Sequence, residues 1–350
     1  MTQPQTPTPA RQITEVVLPG LVDPSGLQVQ HRTLAAPTAR QVVVRVEATG
    51  ISFAEQGMRR GVYPGQPRFP FVPGYDLVGT VEEAGSGVAP GLIGRRFAVA
   101  TKTGGWATHA LVDAADLVAV PEGAEPAAAE TVIVNGITAW QMLHRSARVK
   151  PGQTILVHGA NGGVGTLLVQ LARHAGVRVI GTASPRHHDA LRALGAEALD
   201  YNAPDLTAQV RALAPHGVDA AFDHLGPASA RRSFGLLARG GTLVAYGMAA
   251  SLGTQGSMLP LFLEMMGQIA LWTALPNGRR ASFYDFWSGK TLAPVAFRRR
   301  QHEDLGQVLD LLARGVVTPH IAARFPLSEV RQAMELAESR TVMGKVVLIP

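Results

Sequence analysis

At 350 residues the chain has room for two domains of ordinary size and can bury roughly three quarters of its unfolded surface. With 46% hydrophobic, 17% charged and 6% aromatic residues it is globular. The absence of cysteine excludes disulfides, thiolate catalysis, iron–sulfur clusters and any zinc site that uses a thiolate. The net charge of +6 rests on 28 arginines against 4 lysines. These are dispersed as pairs (Arg59-Arg60, Arg95-Arg96, Arg231-Arg232, Arg279-Arg280) and one triplet, Arg298 to Arg300, which reads as solvated surface rather than a polyanion-binding stripe.

Residues 1–12 lack an apolar core, so a disordered tail and no secretory signal are expected, with a cytoplasmic location. The next hundred residues are rich in glycine and proline. Gln41 to Ala48 and Leu77 to Glu83 carry the β-branched content of strands, and an irregular antiparallel β-domain, in form a partly open barrel, is expected.

Near Pro126 the pattern changes to helix over 127–145, then to alternating strand and helix. Strands are expected at Thr154–His158, Val177–Thr182, Val218–Phe222 and Thr242–Tyr246. Helices are expected after residue 163 (ended by Gly176), over His187–Leu194, near Asp205–Ala214 and after Pro227. Such alternation implies an α/β fold, a doubly wound parallel sheet of Rossmann type. Met258 to Leu275 is the most apolar stretch. Pro260, Glu264 and Gln268 interrupt it, and a buried helix followed by a buried strand is expected there rather than a membrane span. A helix over Leu305–Ala313 and a strand over Lys345–Ile349 close the chain.

Between the first parallel strand and its helix lies Gly159-Ala160-Asn161-Gly162-Gly163-Val164-Gly165. Glycine at 162 lets a pyrophosphate approach the backbone, Gly165 lets helix and strand pack closely, and the helix N-terminus faces the negative charge. The strict fingerprint has glycine where this chain has Ala160. An NAD site places an acidic residue about 20 positions after the fingerprint begins. None occurs from Gly176 through His188; instead Ser184 and Arg186 offer a hydroxyl and a bidentate cation to a phosphate, which points to NADPH. The 11 histidines show no metal-ligand spacing. A metal-free hydride transfer is therefore expected, with the protein supplying orientation and electrostatics.

Together with the β-domain, the runs Val157 to Gly165, Leu194-Gly195-Ala196, Arg60 to Tyr63, Phe71 to Gly74, Asn135 to Thr138, Phe222 to Gly226 and Gly344 to Leu348 resemble the medium-chain dehydrogenase/reductase superfamily, in its zinc-independent quinone oxidoreductase branch. Zinc-dependent relatives carry Gly-His-Glu where this chain has Gly74-Tyr75-Asp76.

The resemblance implies a GroES-like catalytic domain over 13–126 and 276–350 and an NADPH-binding Rossmann domain over 127–275, with the nicotinamide in the cleft between them. It implies cofactor contacts from Thr138, Asn161, Gly162, Gly163, Val164, Ser184, Arg186, Tyr201, His224, Leu225, Gly247, Met248, Trp272, Thr273 and Lys345. At the substrate end it implies Tyr63 as donor to the substrate oxygen and Ser52 as a substrate or ribose contact; where the family shows Asn and Asp, this chain has Ser52 and Glu55. The stretch to Leu275 resembles the edge strand through which such proteins form homodimers, and the longer 276–300 segment resembles the branch related to synaptic vesicle membrane proteins.

The expected activity is NADPH-dependent reduction of a quinone or an α,β-unsaturated carbonyl. Alternatives are an enoyl-thioester reductase on the same scaffold, or a non-catalytic RNA- and NADPH-binding relative of zeta-crystallin.

Overall fold

The computed structural model describes residues 11–249 and 258–350. The expected N-terminal tail lies outside the described residues as far as residue 10; Arg11 and Gln12 already belong to a strand. The chain divides into two compact units, residues 1–120 with 323–338 and 346–350, and residues 121–322 with 339–345.

The first unit is built on a seven-stranded antiparallel sheet. Its strands are β3 (Gln41–Ile51), β4 (Asp76–Ala84), β5 (Arg96–Ala100), β6 (His109–Asp113), β7 (Val118–Ala119), β14 (Ile321–Pro326) and β15 (Lys345–Ile349). The order is β14-β15-β3-β4-β5-β7, with β6 also paired to β3, while β1 (Arg11–Val17) and β2 (Gln28–Leu34) form a separate ribbon. Alternate residues Val42, Val44 and Val46 of β3 face Leu77, Val81, Phe97 and Val99, because successive strand side chains point to opposite faces. Gly79 is required where β3 and β4 close up, since a Cβ there would stand 2.2 Å from the Arg45 carbonyl oxygen. Helix α1 (Phe53–Arg59) starts at Ser52, whose hydroxyl accepts from Ala54 N while Glu55 reaches back to the Ser52 amide, a reciprocal capping box.

The second unit holds a parallel sheet of β8 (Thr154–His158), β9 (Arg178–Ala183), β10 (Ala196–Asp200), β11 (Val218–Asp223), β12 (Leu237–Ala245) and β13 (Arg280–Phe283), in the order β10-β9-β8-β11-β12-β13. This is the doubly wound order, with the reversal between β8 and β11. Ile155, Leu156 and Val157 are wholly buried, as a central strand covered on both faces requires. The helices of this unit include α2 (Pro126–Thr131), α3 (Val134–Trp140), α4 (Gly163–His174), α5 (His188–Ala193), α6 (Leu206–Leu213), α7 (Pro227–Gly235), α8 (Leu259–Ala274) and α9 (Pro294–Ala313). Among the described residues no helix is long and apolar enough to cross a membrane.

Two expectations are corrected here. The stretch to Leu275 holds no strand: Leu259–Ala274 is one helix, α8, with Met265, Ile269 and Trp272 buried at helical spacing. Leucine, methionine and alanine outweigh β-branched residues there, so helix propensity prevails. The edge strand is β13 instead, which pairs in parallel with β12 from Thr242↔Arg280 to Ala245↔Phe283. The chain also returns to the first unit later than residue 276, because β13 extends the parallel sheet and α9 bonds to the α3 end through Gln141 and Asp304.

Candidate functional site

The glycine turn follows β8 and opens α4. Gly159 has φ +62°, and a Cβ there would stand 2.3 Å from the His224 ring. A Cβ on Gly165 would meet the Gly159 carbonyl oxygen at 2.3 Å, so helix and strand touch at the expected glycine. Gly162 is different: the nearest atom to its Cβ position is 3.4 Å away, leaving open space at the N-cap of α4. A side chain there would fill the room that a pyrophosphate needs beside the helix amides, so the turn fits the phosphates of a dinucleotide. Gly163 packs on Asn135, Asn161 O accepts from Gly344 N at 2.9 Å, and Val164 is half-buried at the first turn.

Ser184, Arg186 and Tyr201 meet at the C-terminal ends of the neighbouring strands β9 and β10, where Ala183 is paired with Asp200. Arg186 Nε donates to Ser184 Oγ at 3.2 Å, and Tyr201 N to the Ala183 carbonyl at 3.3 Å. Ser184 is half-buried, Arg186 and Tyr201 are exposed, and the end of β9 carries no carboxylate. The Ser184 hydroxyl and the Arg186 guanidinium bonded to it suit a phosphate monoester, with Tyr201 one residue beyond β10.

The loops after β11 and β12 are tied to each other. Tyr246 N donates to Asp223 O at 3.0 Å and Ala249 N to His224 O at 2.7 Å, which draws Gly247 and Met248 beside His224 and Leu225. Beneath them Asp223 is wholly buried and accepts from Leu225 N (2.9 Å), Ser229 Oγ (2.7 Å) and Ser233 Oγ (2.7 Å). Ser233 also meets His158 Nε2 at 3.0 Å, and Thr182 Oγ meets His158 Nδ1 at 3.1 Å. Buried on all sides, this network holds the β11 loop in place rather than offering a nucleophile. Burial pushes the imidazoles of His158 and His224 below their ordinary range, His224 to about 4, despite the opposing pull of Asp223.

Thr138 is buried on α3. Trp272 and Thr273, expected at the cofactor, do not join this group. Because α8 is a helix, Trp272 turns into the core and stacks on Phe234 at 4.6 Å, while Thr273 Oγ donates to Ile269 O at 2.8 Å. The Lys345 ammonium is buried and donates to the buried Glu130 carboxylate at 2.6 Å. One residue that the sequence left unmarked sits where the edge strand was misplaced. Tyr284 directly follows β13, and its hydroxyl donates to Gln141 at 2.9 Å; the aromatic run 283–287 within the long segment was the available signal.

In the first unit the Tyr63 and Tyr75 hydroxyls are hydrogen-bonded, with the rings edge-to-face at 5.9 Å. Tyr75 is buried, and its amide donates to Glu55 at 2.7 Å. Lys102 Nζ stands 5.9 Å from the Tyr63 ring centre. Ser52 is committed elsewhere: its hydroxyl donates to Glu55 inside the capping box, so its proton is already engaged.

Fold and turn together define a dinucleotide-binding oxidoreductase. Residues 38–122 match the alcohol dehydrogenase GroES-like domain and residues 194–348 the zinc-binding dehydrogenase family. The human synaptic vesicle membrane protein VAT-1 homolog is 31% identical over 340 residues, 96% of this chain and 86% of that one. A 2-haloacrylate reductase from Burkholderia is 29% identical (91% and 93% covered), and a rat quinone oxidoreductase 27% (93% and 94%). A mycobacterial protein solved with NADPH superposes with a TM-score of 0.82 at 26% identity, covering 97% of this chain and all of that one. The chain belongs to the medium-chain dehydrogenase/reductase superfamily, in its zinc-independent, quinone-oxidoreductase-like branch. The zinc-binding label of one family model does not carry over to the residues here: no cysteine exists and Tyr75 occupies the histidine position of the zinc motif.

Proposed function

We propose that this protein is an NADPH-dependent, metal-free reductase acting on a quinone or on the carbon–carbon double bond of an α,β-unsaturated carbonyl. The observation that carries the cofactor choice is the Arg186 guanidinium bonded to Ser184 just beyond β9, in a segment, 184–188, that carries no carboxylate. The haloacrylate and quinone reductases among the relatives support the substrate class. Bound NADPH supplies a hydride. The open Gly162 turn receives the pyrophosphate, Arg186 pairs with the 2′-phosphate, and the tied β11 and β12 loops hold the cofactor's length.

As hydride reaches the β-carbon, negative charge develops on the substrate oxygen and needs a positioned donor. Tyr63 fits that role, with Tyr75 bonded to its hydroxyl and Lys102 against its ring. Protonation of the resulting enolate from Tyr63, and of Tyr63 from solvent, completes the reduction.

We also propose a homodimer that extends the parallel sheet at its edge strand β13, beside which α8 exposes Leu263, Met266 and Ala270 along one face. The testing experiment is oxidation of NADPH and NADH with 1,4-benzoquinone, 9,10-phenanthrenequinone and a simple enone, before and after chelator. NADPH-selective, chelator-insensitive turnover is expected. NADPH binding with no turnover on any acceptor overturns the substrate class.

A further inference from the structure

Two phenols meet in the first unit, and each is fixed from its own side. Tyr75 is 4% exposed; its amide donates to Glu55 Oε1 at 2.7 Å, and its carbonyl accepts from Thr101 N at 2.9 Å and Lys102 N at 3.1 Å. Tyr63 is half-buried against α1, where a Cβ on Gly57 would stand 3.5 Å from the Tyr63 Cβ. The two hydroxyls bond each other, and the rings cross at 84°. While both phenols are neutral, either can hold the proton between them. Loss of the Tyr63 proton settles the direction, because a phenolate has only lone pairs and Tyr75 must then be the donor.

Lys102 brings a cation to the same place. Its φ of +72° is the left-handed conformation that residues with a side chain rarely adopt. From there its ammonium donates to Gly65 O at 2.8 Å, in the turn that follows Tyr63, and lies 5.9 Å from the Tyr63 ring centre. The other charged groups around the pair have their own engagements. Glu55 accepts from the amides of Ser52 and Tyr75 and from the Ser52 hydroxyl. Arg59 and Arg60, at the C-terminal end of α1, pair with Glu338 at 2.7 and 3.0 Å. Asp76, wholly buried, follows Tyr75 at the start of β4.

We propose that Tyr75 and Lys102 are positioning residues that hold Tyr63 as the phenolate formed when it protonates the reduced substrate, a role that rests on the reading of Tyr63 as the proton donor. The proton leaves the Tyr63 hydroxyl for the enolate, and the O–H electron pair stays on the phenol oxygen. The Tyr75 hydroxyl donates to that oxygen, the Lys102 ammonium offsets its charge, and water returns the proton. Because Tyr75 is shielded from water, its hydrogen bond to an anion counts for more than it would at the surface.

The first measurement needs no substrate. Of the 5 tyrosines, Tyr246 and Tyr284 are pushed by burial above the ordinary phenol range. Tyrosinate absorbance followed up to about pH 11 therefore reports Tyr63, Tyr75 and Tyr201. One step of the wild type is expected about one pH unit before the others, and Tyr63→Phe removes it. Tyr75→Phe, which keeps the ring, moves that step up into the range of the others. Lys102→Met moves it up by about half a unit, and Lys102→Arg, which keeps the charge, leaves it in place. The second measurement is turnover. On a simple enone Tyr75→Phe lowers kcat about tenfold with KM and NADPH affinity unchanged, since the lost bond serves only the charge formed in the reaction.

A wild type without the early tyrosinate step, or a Tyr75→Phe variant that keeps it, overturns the proposal. An undiminished kcat in Tyr75→Phe overturns it too, and so do equal effects of Lys102→Met and Lys102→Arg, which reduce Lys102 to a tie on Gly65. Full kcat in Tyr63→Phe refutes instead the reading of Tyr63 as proton donor. NADPH binding without turnover on any acceptor refutes the substrate class, and the titration still decides on the pair.

Discussion

Lys345 and Glu130 form an ion pair of 2.6 Å in which both side chains are almost wholly out of water, at 2% and 0% exposure. Lys345 leads β15 and Glu130 lies in the helix Pro126–Thr131, so the pair fastens two segments more than 200 residues apart in sequence. Removing one member of a buried pair leaves an uncompensated charge, whereas removing both need not. Lys345→Met is expected to lower unfolding stability by about 3–5 kcal/mol, and Lys345→Met with Glu130→Met to recover most of the loss. Urea titration followed by fluorescence measures both; equal loss in single and double variants contradicts the pairing.

Arg186 is expected to decide between the two nicotinamide cofactors. A charge-assisted hydrogen bond contributes about 1.5–3 kcal/mol, so Arg186→Ala weakens NADPH binding by roughly ten- to a hundredfold. NADH affinity should stay within about twofold of wild type, since NADH lacks the group that Arg186 addresses. Fluorescence titration of both cofactors decides the matter, and parallel losses would move the 2′-phosphate away from the β9 end.

Tyr63→Phe keeps the edge-to-face packing on Tyr75 and removes only the outer hydroxyl. If Tyr63 is the proton donor, kcat on an enone falls by about a hundredfold or more while NADPH affinity is unaltered. Ser52→Ala, by contrast, deletes the α1 cap and costs about 1 kcal/mol of stability. An undiminished kcat in Tyr63→Phe assigns the proton to another group.

Acid sensitivity follows from two histidines, the buried His158 and the half-buried His224. Both His158 and His224 have folded-state pKa values pushed below the ordinary 6.5, His224 to about 4. Between these limits the unfolded chain takes up protons that the folded chain refuses. Their contribution to stability is thus fully present above pH 6.5 and declines as pH falls toward 4, by up to about 1.4 kcal/mol per pH unit for each group. Denaturant midpoints at pH 7.5, 6.0 and 5.0 report the slope, and His224→Gln should flatten it.

The proposed dimer makes its own prediction. Analytical ultracentrifugation should give twice the 37.0 kDa chain mass, and Leu263→Glu with Met266→Glu should return the monomer with NADPH binding intact. A wild-type monomer at micromolar concentration rules out the β13 edge as a stable interface.

Much of the second unit was legible in the sequence because its signals are local. Gly159, Gly162 and Gly165 mark a turn whose geometry each glycine serves individually, and Ser184 with Arg186 stands one loop beyond a strand of unmistakable β-branched content. The apolar run before Leu275 was misread in part because hydrophobicity alone does not distinguish a buried strand from the apolar face of a helix; the spacing of Met265, Ile269 and Trp272 carries that distinction. Trp272 and Thr273 were misplaced with it.

Periodicity, turn residues and the missing cysteines were enough to determine the two-part architecture, the dinucleotide turn and the lack of a thiolate metal site, since each depends on residues near one another in the chain or on composition. Which distant polar groups meet was decided only by the tertiary structure. Lys345 finds Glu130, Asp304 finds Gln141 and Arg145, and Tyr284 reaches Gln141 because burial leaves each polar group no water and it must take whichever partner the packing of strands and helices brings within reach.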